Sequence, residues 1–306
     1  MDIKNPAHLE ILVKRATYAS VSVAFILIIA KFLAWIATGS LSLQATLVDS
    51  LLDAAASVLN LFAVRQAYRP PDREHRFGHG KIEAIAALGQ SIFVVASAAW
   101  LLSEASGRLV QPQKIESMNL GILVMVFAIV ITLVLIAYQN YVIGHTNSTA
   151  IMADSVHYRS DLLINGSVIV ALLGSEWFGN GYLDSFFSVV ISIYILMTAW
   201  KIAKNSFHIL IDRELVDEDR EKIIAIALSH PKVLGCHDLR TRSSGSRHFI
   251  QCHIEMDGTL SLHEAHVISE EVSSTIEAQF TQAEVIIHED AYRENRESQD
   301  PFLKII

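Results

Sequence analysis

Apolar positions gather into six long clumps, at about residues 16–38, 41–67, 82–110, 120–143, 150–173 and 183–207. Each is long enough, at ~1.5 Å per residue, to cross a hydrocarbon core ~30 Å thick. Breakers separate them: Gly39-Ser40, then Pro70-Pro71 with Gly78 and Gly80, then Pro112, a polar link over 145–149, and Gly179 with Gly181. The pattern predicts six transmembrane helices. The start carries Lys4, Lys14 and Arg15 and no small-residue cleavage site, so the first span is expected to be retained.

Past residue 212 the period changes. Residues 217–230 read as an amphipathic helix and 233–241 as a strand. Residues 248–256 alternate: Ile250, Cys252, Ile254 and Met256 on one face, Gln251, His253 and Glu255 on the other. A second helix is expected over 261–280 and a last strand over 284–288. The order αββαβ suggests a small sheet with two helices on one face. The chain therefore divides into a transmembrane domain (1–211), a polar α/β domain (212–291) and a charged tail (292–306), expected to be disordered.

Composition agrees with a membrane protein: 52% hydrophobic, 18% charged and a mean hydropathy of +0.37. The net charge of −8 argues against nucleic acid as a partner. The two cysteines, Cys236 and Cys252, form no CxxC, which fits a reducing compartment. Lys4, Lys14, Arg15, Arg65, Arg69, Arg73, Arg76, Lys81, Lys201, Lys204 and Arg213 fall on one side of the six spans. Only Arg108 and Lys114 fall on the other. By the positive-inside rule both termini are cytoplasmic.

Against this apolar background four side chains are costly. Asp49 and Asp53 are four residues apart in the second span, and His157 and Asp161 repeat the spacing in the fifth. Such pairs share a helix face. A charge at bilayer depth costs at least ~2.5–3.5 kcal/mol, so each needs a compensating partner. Facing each other, the pairs offer three carboxylates and one imidazole, a tetrahedral N/O set for Zn2+. The bland reading is polar glue between helices, and two matched pairs weigh against it. Mixed His and Asp suits Zn2+, Fe2+ or Cd2+, and the absence of thiols in these spans argues against Cu(I).

Two further sets lie outside the spans. Asp72, His75 and His79 in the second-to-third loop could close on one metal, or form an ordinary hydrophilic loop with two solvated histidines. In the polar domain His237, His253, His266, His288 and Asp290 gather near strand ends, where a shared metal site is the better reading than five inert surface groups. His208, His230, His248 and His263 follow no comparable pattern.

Residues 43–53, the loop Phe77-Gly78-His79-Gly80-Lys81-Ile82-Glu83, the pair His157 and Asp161, and the run His237-Asp238-Leu239-Arg240-Thr241-Arg242 resemble the cation diffusion facilitator family. The resemblance extends from about residue 10 to about residue 290. It implies six transmembrane helices, a cytoplasmic domain of metallochaperone-like αββαβ fold, and a homodimer in a bacterial inner membrane that exchanges metal for protons. Asp49, Asp53, His157 and Asp161 match the family's transport site, and Asp72, His75 and His79 its loop site. His237, His253, His266, His288 and Asp290 match a binuclear cytoplasmic site bridged by Asp290. Lys81 and Asp212 match a salt bridge joining two protomers. His263, three residues before His266, and Cys236, beside His237, depart from that pattern without touching the transport set.

The expected activity is export of Zn2+, or of Fe2+ or Cd2+, by alternating access. Metal needs a neutral imidazole and charged carboxylates, so protons compete with it and serve as counter-ion. An imidazole with an ordinary pKa of ~6.5 is the natural proton partner. Two rivals are an intramembrane metalloenzyme and a membrane-anchored metal sensor. The first would keep an open position for water, whereas four protein ligands close the shell, and no HExxH occurs. The second leaves the embedded charges without a purpose.

Overall fold

The computed structural model describes residues 6–38, 41–110, 119–178, 182–280 and 282–292. The connections at Gly39-Ser40, at Pro112 and at Gly179 and Gly181, and the tail past Tyr292, lie outside these residues, as does the side chain of Asp49. The chain forms two compact units, Met1–Phe207 and His208–Ile306.

The first unit is built from six long helices: α1 (Pro6–Thr38), α2 (Leu41–Ala67), α3 (Lys81–Val110), α4 (Asn119–Thr146), α5 (Thr149–Phe178) and α6 (Tyr182–Leu210), the last running just beyond the unit. Among the described residues three stretches are long and apolar enough to cross a membrane: His8–Ala37, Lys81–Ser103 and Leu123–Thr146. The unit is turned inside out relative to a water-soluble bundle. Large apolar side chains such as Leu33, Ile36, Leu59, Trp100 and Met197 point outward, while Ser20, Ser57, Gln139, Asp154 and His157 are buried. Such an exterior suits an apolar surrounding, and the buried polar groups must find partners within the protein.

The second unit contains α7 (Asp217–Leu228), β1 (Gly235–Ser244), β2 (Arg247–Met256), α8 (Leu262–Gln279) and β3 (Ala283–Ala291). The sheet order is β1-β2-β3, antiparallel for β1 and β2 and parallel for β2 and β3. Ile250, Cys252, Ile254 and Met256 pack with Ile223 and Ala227 of α7 and Ile268, Val272 and Ile276 of α8. Both helices thus cover one face, as the alternation of β2 requires. A capping box fixes the start of α8: Ser261 and Glu264 satisfy each other's backbone N–H groups. Boundaries move by a few residues. β1 and β2 run into a tight turn at Gly245, whose φ of 62° suits glycine. β3 extends to Ala291, which places Asp290 within the strand.

Candidate metal centres

α2 and α5 bring three of the four expected donors together. His157 Nε2 lies 3.0 Å from Asp53 Oδ1 and 3.7 Å from Asp161 Oδ2. Donor atoms ~2.0–2.1 Å from a tetrahedral Zn2+ stand about 3.3 Å apart, so these spacings fit the edges of one coordination shell. Asp49 lies on α2 one turn before Asp53, and its side chain is outside the described residues. The His157 side chain is only 7% exposed, whereas Asp53 and Asp161 are 23% and 33% exposed. The set is buried on its imidazole side and open on its carboxylate side.

Polar contacts fix the rotation of α5. Asp154, one turn before His157, accepts hydrogen bonds from Ser20 Oγ of α1 (2.6 Å), Gln90 Nε2 of α3 (3.2 Å) and Gln139 Nε2 of α4 (2.8 Å). Tyr158 donates to the Ser20 carbonyl at 3.1 Å, and its hydroxyl lies 3.0 Å from Ser57 Oγ of α2. Phe93 packs beside the His157 ring at 6.2 Å between centroids. The sequence pattern gives Asp154 no role. Its contacts span four helices and leave no trace in local spacing.

The loop set closes as its spacing allows. His75 Nδ1 is 3.2 Å from Asp72 Oδ1, and His79 Nε2 is 3.3 Å from Asp72 Oδ2. The two rings lie 4.6 Å apart between centroids. Asp72 Oδ1 also accepts the backbone N–H groups of Glu74 (3.0 Å) and His75 (2.7 Å). The His75 backbone bond is the main cause that holds the Asp72 carboxyl below its ordinary pKa. Gly78, at φ 81°, turns the chain so that His79 points inward, where it is buried.

In the second unit the sheet aligns three histidines in one row. His237 is in register with His253, and His253 with His288. Ring centroids are 5.1 Å apart in the first pair and 4.5 Å in the second. Asp290, two residues after His288 and on the same face, reaches into the row. Its Oδ2 lies 3.2 Å from His237 Nε2 and 3.0 Å from His253 Nδ1, and its Oδ1 lies 3.7 Å from His288 Nε2. One carboxylate thus touches three imidazoles, the arrangement a bridging ligand needs. His266 does not join this row. It is exposed on α8, in the layer covering the opposite face of the sheet, beside His230 and Glu271.

Two carboxylates missed in the sequence complete the surroundings. Glu255 Oε1 lies 3.3 Å from His237 Nδ1, and Asp238 Oδ2 lies 3.6 Å from His253 Nε2. Strand alternation would put Asp238 on the face opposite its neighbour His237. A bulge between His237 and Arg240, with Asp238 at φ 48°, turns it back toward the row. Glu255 could have been found, since it shares a strand face with His253. Asp212, at φ 57° after α6, has Arg242 Nη1 at 3.5 Å.

Similarity to known proteins follows the same two-part division. Residues 17–211 match the family model described as the cation efflux transmembrane domain, and residues 215–292 the one described as the cation efflux protein cytoplasmic domain. The cation-efflux pump FieF of Shewanella oneidensis is 47% identical over 278 residues, covering 91% of this chain and 94% of that protein. FieF of Klebsiella pneumoniae is 44% identical over 279 residues, covering 91% and 93%. Among solved structures, the zinc form of the putative zinc transporter CzrB is 28% identical, with a TM-score of 0.27, over 28% of this chain and 99% of that one.

Proposed function

The chain belongs to the cation efflux family and is a membrane transporter of divalent metal cations rather than an enzyme, and from that premise we propose that it exports Zn2+ from the cytoplasm in exchange for protons. The carrying observation is the convergence of Asp53, His157 and Asp161 from two helices, with ligand atoms within 4.8 Å of one another. Asp49, one turn from Asp53, supplies the fourth donor. The mixed N/O set favours Zn2+, with Fe2+ and Cd2+ as the other ions of suitable chemistry. Protons and metal compete for the same nitrogen and oxygen atoms, so loading from one side expels protons and acidity on the other side expels metal. Alternating access follows if α2 and α5 shift together with their donors.

The chain would span a bacterial inner membrane six times with both termini in the cytoplasm, on the side rich in Lys and Arg. The His237–His253–His288–Asp290 row would hold resident metal, and Asp72, His75 and His79 a further ion. A homodimer is part of this reading. His266 would reach the row only from a second copy, and Lys81 and Asp212 would pair between copies.

The test is Zn2+ uptake into proteoliposomes under an imposed pH gradient. Uptake should run with counter-moving protons and collapse when a protonophore dissipates the gradient. Uptake indifferent to the gradient would refute antiport, and faster Fe2+ or Cd2+ uptake in competition would reassign the cargo.

A further inference from the structure

Glu83 lies in the first turn of α3, four residues past His79, and is 3% exposed. Its Oε1 accepts hydrogen bonds from Ser148 Oγ and, at 3.3 Å, from the Ala150 backbone N–H. Ser148 Oγ in turn accepts the Ile151 N–H at 3.3 Å. Ser148, Thr149 and Ala150 are buried. The opening N–H groups of α5 therefore cannot turn to water and need acceptors from the protein. A carboxylate also suits the positive end of the helix dipole. α5 is thus capped by a side chain of another helix. Asn60 of α2 adds a contact from its Nδ2 to the Ala150 carbonyl at 3.4 Å.

The same turn of α3 is tied to the loop set. The Ile82 N–H bonds to the His79 carbonyl at 3.0 Å, and the Glu83 N–H to the Gly80 carbonyl at 3.2 Å. His79 is buried, with its Nε2 beside Asp72. An unbroken path runs from Asp72, His75 and His79 through the first turn of α3 to the first turn of α5. His157 follows Ser148 by nine residues, about 13 Å along the axis at ~1.5 Å per residue.

We propose that Glu83 is a positioning residue that couples the loop metal set to the transport set. Metal held by Asp72, His75 and His79 fixes the start of α3, and Glu83 passes that constraint to the helix carrying His157 and Asp161. The inference rests on the metal-binding reading of the loop proposed above. What it adds is a named route by which an ion in the loop acts on the cargo site.

A double-mutant cycle on the full-length protein in proteoliposomes tests it, with Zn2+ flux and bound zinc per chain as readouts. Glu83→Ala should slow turnover at saturating Zn2+ by roughly tenfold, with KM changed by less than about twofold. Glu83→Gln should recover most of the rate, because its amide oxygen accepts the same bonds. His75→Ala should lose one bound zinc and slow the parent several-fold, yet cause no further loss in the Glu83→Ala background. Equal loss from His75→Ala in both backgrounds would overturn the coupling, as would a Glu83→Gln variant as slow as Glu83→Ala. Should Glu83→Ala fail to insert, Glu83→Asp, too short to reach Ser148 and Ala150, serves in the same cycle. If His75→Ala leaves bound zinc unchanged, the loop site itself fails and the coupling with it. If bound zinc falls but the parental rate holds, the loop site stands and only the coupling fails.

Discussion

The helical set and the sheet-borne set use the same donors, imidazole and carboxylate, on different frameworks. On α2 and α5 the helical repeat places neighbours within each pair, and only side-chain packing places one pair against the other. A small rotation or slide of one helix parts His157 from Asp53. In the sheet, ladder hydrogen bonds hold His237, His253 and His288 at adjacent register positions. These residues cannot part without breaking strands. A framework that can slide suits an ion that must be loaded and released, and a ladder suits one that stays.

Breaking each set separately tests that contrast. The largest effect is expected from His157→Ala or Asp161→Ala. Either should lower Zn2+ flux by at least about 100-fold, since one ligand is lost and the remaining embedded charges lose their partner. Bound zinc in the cytoplasmic domain should be unchanged, as read by metal analysis of the same preparation. Asp290→Ala should do the reverse. It removes the carboxylate shared by three imidazoles, so cytoplasmic zinc should be lost while maximal flux stays within about threefold of the parent, as buried charge is not left behind in the membrane. His157→Asp should leave transport measurable but relax selectivity toward Cd2+ or Mn2+, because the all-oxygen set loses the imidazole nitrogen that favours Zn2+. Competition flux assays would show it, and an unchanged profile would count against His157 as the selective ligand.

The smallest effect concerns pH and the cytoplasmic domain alone. Burial pushes the His248 imidazole below its ordinary pKa, with Asp219 pulling partly the other way. The unfolded chain then binds a proton more readily than the folded one. Stability is full above the unfolded value of ~6.5 and falls as pH drops through the lowered folded value. Thermal unfolding of the domain should come earlier below pH ~6.5 by on the order of 2–4 °C, and His248→Gln should flatten that dependence.

What could be read in advance follows from how local each signal is. The pairs Asp49/Asp53 and His157/Asp161 declare themselves through helical spacing in an apolar window. The alternation over 248–256 declares which face of β2 is buried. Both periods belong to single elements. The features that escaped depend on two elements meeting. Asp238 joins the histidine row through a bulge that overrides alternation. Asp154 is held by three other helices, and Glu83 caps a helix 65 residues away from it in the chain, at Ser148. His266 depends on a meeting of another kind: α8 presents it on the other side of the sheet, so within one copy it stands apart from the row.

The most direct test of the central claim is zinc K-edge absorption on full-length protein lacking the loop and cytoplasmic ligands, through His75→Ala, His253→Ala and Asp290→Ala. One zinc should remain per chain, with one nitrogen and three oxygen donors at ~2.0–2.1 Å, and His157→Ala in that background should release it. A variant that retains no zinc before His157 is touched, or keeps it afterwards, would contradict the assignment of Asp49, Asp53, His157 and Asp161 as the cargo site.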